Sequence, residues 1–340
     1  MNRRLFALAA TALAVCSFSP LTHAAGELRV LVHSSFSLPK PLLAQFEAQN
    51  GLKLVIIKGG DAGEMLNKLI LTRAQPLADV VYGIDNTLQA KALAAGVLEP
   101  SLPQPASAVD AQLGDALAAV DYGFVTLNYD RAAVAKSGVP LPKTLQDLTQ
   151  PAYKGWLVVP NPATSSPGYA FLLATIAGLG EEKAFAWWAQ MRANGLKVVK
   201  GWSEAYYTEF SLNKGSHPLV VSYATSPAAE VFYAKDKPAV PPTGNLNLAG
   251  GVFRQVEGVA LIKGAAQKAS ALKFVEFLRS APVQEALPTA MWMYPAVPKT
   301  ALPPVMSHAT EPTAFESLPP QVIADKGTQW VARWTQVVLK

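Results

Sequence analysis

Two series of alternating strand-like and helix-like segments, joined and then rejoined by two long strand-like stretches, restrict this chain to a narrow set of folds. In the first series, residues 27–33, 52–57 and 78–83 read as strands. Residues 38–50, 61–73 and 86–95 read as helices between and after them. Asp61 stands at the helix start, with Glu64 three residues on as a capping-box partner. A long strand follows at 120–129. The second series places strands at 155–159, 196–199 and 218–222. Its helices run from Ser165-Ser166-Pro167 to near Gly178, over 181–195, from Gly201-Trp202-Ser203 to 212, and from Ser226-Pro227 to 235. Proline just inside a helix start is favoured because its missing N–H has no helical partner there. Residues 239–251, rich in Pro and Gly, read as loop, and 252–262 as a second long strand. A helix at 267–280, a break at Pro288 that leaves Trp292 in a loop, and a last helix after Pro319-Pro320 carrying Trp330 and Trp334 complete the chain. Strands alternating with helices imply βαβ units and parallel pairing. Two such series with two connecting strands imply two α/β lobes, with a ligand between them where strand ends meet helix starts.

The N-terminus implies export. Met1-Asn2-Arg3-Arg4 is basic, residues 5–15 are apolar but too short to span a bilayer, and Thr22-His23-Ala24 sets small residues before a cut after Ala24. The one cysteine, Cys16, lies inside that leader, so a mature chain from residue 25 has neither disulfides nor thiolate metal sites. The remainder is long enough for two cores. Half of the residues are hydrophobic and 16% are charged, and the net charge of +5 is scattered with no basic run. Nucleic acid is therefore not an expected partner, and the mature protein is expected to be soluble and exported.

Lys200-Gly201-Trp202-Ser203-Glu204-Ala205-Tyr206 and Ser222-Tyr223-Ala224-Thr225-Ser226-Pro227 set aromatic rings beside small hydroxyl residues at helix starts. Rings stack on flat ligands and attract cations. Hydroxyls and free N–H groups at helix starts favour anions. The mixture suits holding a small, flat, partly charged molecule. Three other readings stay open. Gly201-Trp202-Ser203-Glu204-Ala205 loosely mimics a G-x-S-x-G nucleophile elbow, which would make Ser203 the nucleophile of a secreted hydrolase; its last position is Ala, and a helix cap fits equally well. Tyr206-Tyr207 is the kind of pair that serves a ferric-ion receptor; as packing, one ring faces inward and the other the cleft. Gly59-Gly60-Asp61-Ala62-Gly63 lacks the Lys-Ser/Thr of a phosphate loop and reads as a turn and cap. Asp61 as a cap leaves one carboxylate oxygen for the cleft. Trp187-Trp188 reads as core.

Taken in order, these segments resemble the periplasmic thiamine-binding proteins of bacterial ATP-driven thiamine importers. The resemblance rests on Ala78-Asp79-Val80-Val81 with Gly83, Asp85 and Asn86; on Asp121-Tyr122-Gly123 with Tyr129-Asp130; and on Thr164-Ser165 with Pro167-Gly168. The 200–206 and 222–227 segments, Gln255-Val256-Glu257 and Trp292-Met293-Tyr294-Pro295 extend it over nearly the whole mature chain. It implies the two-lobed type II periplasmic-binding-protein fold, with residues 25–121 plus 262–340 in one lobe and 122–261 in the other. It implies no catalysis, no cofactor and no metal. The partners it implies are thiamine, or its mono- and diphosphate, and an inner-membrane ABC permease. Carried over residue by residue, the implied ligand contacts are Asp61, Ala62, Ser165, Ser166, Trp202, Tyr223, Ala224, Thr225, Ser226 and Trp292. Trp202, Tyr223 and Trp292 would stack on the rings, Asp61 would meet the aminopyrimidine or the positive charge, and the hydroxyl residues would bind the hydroxyethyl end or its phosphate. The chain departs from the pattern at Ala62, where Gly is usual, at Ser166 for Thr, and at Tyr207 for Gly. It also carries His33-Ser34-Ser35-Phe36 where relatives carry Tyr-Asp-Ser-Phe.

Overall fold

The computed structural model describes residues 26–100, 102, 107 and 113–340. The exported leader expected at 1–24, with Cys16, lies outside the described residues. Ten strands form one continuous twisted sheet: β1 (Gly26–Val32), β2 (Leu52–Lys58), β3 (Val80–Asp85), β4 (Ala118–Asp130), β5 (Leu157–Pro160), β6 (Lys197–Val199), β7 (Leu219–Tyr223), β8 (Thr243–Leu246), β9 (Phe253–Leu261) and β10 (Tyr294–Pro295). Their order is β2-β1-β3-β9-β4-β7-β5-β6, with β8 and β10 also on β4. The β2-β1-β3 block is parallel, as is β7-β5-β6. The long strands β4 and β9 run antiparallel to each other and to the blocks they adjoin. They are the two crossings between lobes. Both are buried along nearly their whole length, polar residues such as Asp121, Asn128, Gln255 and Glu257 included.

Helices cover the sheet: α1 (Lys40–Asn50), α2 (Ala62–Leu71), α3 (Gln89–Ala94), α4 (Arg131–Ser137), α5 (Ser166–Leu179), α6 (Glu181–Ala193), α7 (Trp202–Glu204), α8 (Ser226–Tyr233), α9 (Lys268–Leu278), α10 (Ala281–Ala290) and α11 (Pro320–Leu339). Trp187 and Trp188 are buried in α6, packed edge to face on each other, and Trp334 of α11 meets Trp188 the same way. The last helix packs on α6 and also on α3, so it touches elements of both series. Among the described residues no helix is long and apolar enough to cross a membrane.

Four local readings change. The stretch expected as loop at 239–251 contains β8, whose Thr-Gly-Asn-Leu sequence has no apolar alternation; it is held by pairing with β4 and by the Asn245 side chain on Asn128 and on the Ala224 carbonyl. The single helix expected from 201 to 212 is instead α7, then a wide turn over Ala205–Glu209 closed by Phe210 N–H on the Ala205 carbonyl at 3.0 Å, then a short 3-10 turn. Widening by one residue buries Tyr206 and leaves Tyr207 exposed. The break expected at Pro288 falls after Ala290, because a proline near a helix end removes one hydrogen bond without ending the helix. Asp61 does cap α2, but Glu64 does not complete a capping box; its carboxylate pairs with Lys68 and Lys200.

Candidate functional site

A cavity of about 300 Å³ opens between the lobes, beside β4 and β9. Of the residues expected from the sequence, Asp61, Ala62, Ser166, Trp202, Tyr223, Thr225, Ser226 and Trp292 line it. Ser165 and Ala224 do not. Ser165 is the buried residue before α5, and its hydroxyl has no partner among the described residues. Ala224 continues the line of β7, its amide donating to the Phe124 carbonyl at 2.9 Å, which turns its methyl group into the core.

The aromatic side is built on one lobe. Trp202 lies nearly parallel to Tyr206, with centroids 5.3 Å apart, and edge-on to Tyr207 and Tyr223. Its indole N–H donates to the Ser222 hydroxyl at 2.8 Å, which fixes the ring plane. Tyr223 donates to Gln255 at 2.8 Å; the same amide group donates to Ser166 at 3.0 Å and to Asp85. Trp292 faces this wall from the segment after α10. Its φ of 58° is left-handed, an unfavourable conformation for a residue of this size. Thr225 donates to the Trp292 carbonyl at 2.6 Å, and the Trp292 ring packs edge to face on Phe232 and Tyr233 of α8.

A second seam between the lobes is polar. The two oxygens of Asp61 accept from the Ala62 amide at 2.7 Å and, across the gap, from the Trp202 amide at 2.9 Å. The oxygen expected to be left for a ligand is thus shared with the opposite lobe. The Glu64 amide donates to the Thr164 carbonyl at 3.0 Å, and the Glu64 carboxylate meets Lys200 at 2.9 Å. This pairing with Lys200 is the first reason the Glu64 carboxyl is held below its ordinary range. Gly63 and Gly201 make the approach possible. A Cβ on Gly63 would stand 2.8 Å from the Thr164 carbonyl carbon, and one on Gly201 3.0 Å from Asp61 Oδ2.

Behind the cavity, buried acids gather on the crossing strands. Tyr82 donates to Asp121 of β4 and, at 3.1 Å, to Glu257 of β9. Burial, with the charge of Glu257 added, pushes Asp121 well above the carboxylate range. Glu257 stays below its ordinary value although burial opposes this, because His33 stands 3.6 Å away. Burial likewise opposes charge on His33, and Glu257 outweighs it and raises the imidazole. Burial pushes Asp85 up to about 6. His33 and Glu257 both reach the cavity, as do Ser35, Asn213, Glu230, Tyr233, Met291 and Met293. His33 stands at the position where the sequence pattern marked a missing aromatic. Glu230 and Tyr233 escaped notice, although they lie four and seven residues after Ser226, one and two turns along the same helical face.

The sequence profile of the bacterial extracellular solute-binding proteins matches residues 75–316. The chain belongs to this family. The solute-binding protein is 32% identical over 322 residues to the thiamine-binding periplasmic protein of Salmonella typhimurium, covering 92% of this chain and 93% of that one. It is 30% identical over 345 residues to the thiamine-binding periplasmic protein of Brucella melitensis, covering 98% of each. A solved periplasmic thiamin binding protein superposes with a TM-score of 0.82 at 29% identity, over 93% of this chain and 98% of that one. Solute-binding proteins of this kind are not a class of enzymes. In this one Ser203 is exposed on α7 and does not line the cavity.

Proposed function

We propose that this solute-binding protein captures thiamine, with thiamine mono- and diphosphate as further ligands, and presents it to an ATP-driven permease in the inner membrane. The observation that carries this reading is that rings from separate lobes, Trp202 and Tyr223 on one and Trp292 on the other, face a single small cavity that also holds three carboxyl side chains and one imidazole. That environment favours a flat cation. The names of the related proteins point the same way. In this reading Trp202, Tyr223 and Trp292 contact the thiazolium and pyrimidine. Asp61 and Ala62 border the aminopyrimidine. Ser166, at the start of the fourteen-residue helix α5, meets the hydroxyethyl end or its phosphate together with Thr225 and Ser226. Ser165 and Ala224 act from behind, by shaping the two helix starts.

The lobes are residues 25–121 with 262–340, and 122–261, with one boundary falling inside β4 and the other at the end of β9. Binding closes them, because ligand contacts on both sides favour the closed state over the open one. The protein acts as a monomer in the periplasm, makes and breaks no bond, and needs no cofactor. A ferric ligand is disfavoured by chemistry. Burial pushes the Tyr206 hydroxyl well above its ordinary pKa, and that hydroxyl donates to Glu230 at 2.8 Å, so a phenolate is hard to form there. The test is calorimetry with thiamine, thiamine diphosphate and ferric citrate, alongside an ester-hydrolysis assay. Saturable binding of thiamine is the expected result. No thiamine binding, with a phenolate-to-iron absorption band or with turnover lost in Ser203→Ala, would overturn the proposal.

A further inference from the structure

Three acidic side chains reach the cavity, and two of them are already satisfied. Asp61 accepts two backbone amides. Glu257 faces His33 and accepts the Tyr82 hydroxyl. Glu230 differs. One of its oxygens accepts the Tyr206 hydroxyl at 2.8 Å, and among the described residues no lysine, arginine or histidine pairs with it. It stands one turn into α8, on the face that also turns Ser226, Ala229 and Tyr233 to the cavity. Its neighbour Tyr206 is stacked on Trp202, so the hydroxyl that orients the carboxylate is itself rigidly placed. Burial raises the Glu230 carboxyl above its ordinary value, as befits an anion short of a cation.

A half-buried carboxylate without a positive partner is unfavourable in the empty protein. It is favourable once a ligand brings the missing charge. We propose that Glu230, oriented by Tyr206, is the counter-charge for a permanently cationic ring of the ligand and sets the preference for cationic over neutral heterocycles. The inference rests on the thiamine reading and adds an orientation to it. The thiazolium lies beside Glu230, one turn into α8, and the hydroxyethyl or phosphate end points away from that carboxylate, toward the helix starts at Ser166 and at Thr225 and Ser226. An acid beside the ring repels a phosphate placed there.

The experiment measures affinity by calorimetry for thiamine and for 3-deazathiamine, in which a neutral thiophene replaces the thiazolium. The unaltered protein, Glu230→Gln and Tyr206→Phe are compared. The expected result is a loss of about tenfold for thiamine in Glu230→Gln, a smaller loss in Tyr206→Phe, and unchanged binding of the neutral isostere in both. Equal losses for the two ligands, or none for either, would overturn the role of Glu230 while leaving the thiamine reading intact. If the unaltered protein bound the neutral isostere and not thiamine, both would fall. Melting curves of the empty variants separate these outcomes from simple misfolding, and Tyr206→Phe bears on the proposal even if Glu230→Gln does not fold.

Discussion

The lobes meet at two seams over the cavity, and the seams are built on opposite principles. Along the polar seam, the start of α2 lies against residues 164 and 200–202 through backbone groups: Glu64 N–H to Thr164, Trp202 N–H to Asp61, with two glycines allowing the approach. Along the aromatic seam, Trp292 lies edge-on to Phe232 and Tyr233, and Tyr233 is exposed to solvent. Backbone hydrogen bonds at fixed distances admit one closed geometry. Ring edges tolerate sliding, since an edge-to-face pair is favourable over a range of offsets. The polar seam therefore sets where the lobes stop, and the aromatic seam adapts to what they enclose.

The largest effect expected from this contrast comes from a single methyl group. Gly63→Ala places a carbon 2.8 Å from the Thr164 carbonyl carbon across the seam, a contact that opening the lobes would relieve. Overpacking of that kind costs about 1–3 kcal/mol, so thiamine affinity is expected to fall by a factor between about 5 and about 150. In the empty, open protein the same change removes a helical glycine, and the melting temperature should hold or rise by an amount equivalent to at most about 1 kcal/mol. Affinity and stability moving in opposite directions is the signature of a stop. Unchanged affinity by calorimetry would show that the polar seam yields as readily as the aromatic one.

The aromatic seam gives the next largest effect. Trp292→Ala and Trp292→Gly both remove the ring, and each is expected to weaken binding by about 1–2 kcal/mol. They differ in the backbone. Trp292 sits at a φ of 58°, which glycine adopts freely and alanine does not. The Gly variant should therefore be more stable than the Ala variant by about 1 kcal/mol in thermal melts, with equal affinity. A difference in affinity between the two would mean that backbone strain, and not the ring, is what the ligand senses.

These two seams also mark what the chain discloses before folding. Both α/β series and both crossing strands were legible, because β-branched and aromatic residues recur along the strands and helices keep their own period. Trp202 and Tyr223 were legible as rings beside helix starts and Trp292 as a ring in a loop, and the resemblance to a known family implied one cleft for them. The Asp61 to Trp202 bond was not, since it joins residues 141 apart and leaves no local pattern. Nor was the ion pair of His33 with Glu257, which forms only when β9 pairs with β3 and so comes within reach of the end of β1. Glu230 and Tyr233 were within reach of helical spacing from Ser226 but read as an ordinary polar face. The wide turn at 205–209 adds one residue to a helix, and no composition signals that.

The smallest effect tests whether the polar seam works by shape or by charge. Glu64 and Lys200 meet at 2.9 Å across the gap, but the lysine side chain keeps 65% of its exposure. Water competes for both partners, and exposed pairs of this kind contribute about 0.2–1 kcal/mol. Lys200→Ala should therefore lower thiamine affinity by less than about fivefold at low salt, and the difference should vanish near 1 M salt, where charges are screened over about 3 Å. The Thr164 hydroxyl also donates to the Lys200 carbonyl at 2.6 Å, and the substitution leaves that bond in place. If Lys200→Ala matched the loss in Gly63→Ala, and the loss persisted in salt, the closed geometry would depend on the ion pair after all. A small, salt-sensitive loss places the stop in the glycine and the two backbone amides, where the side chain of residue 200 has no part.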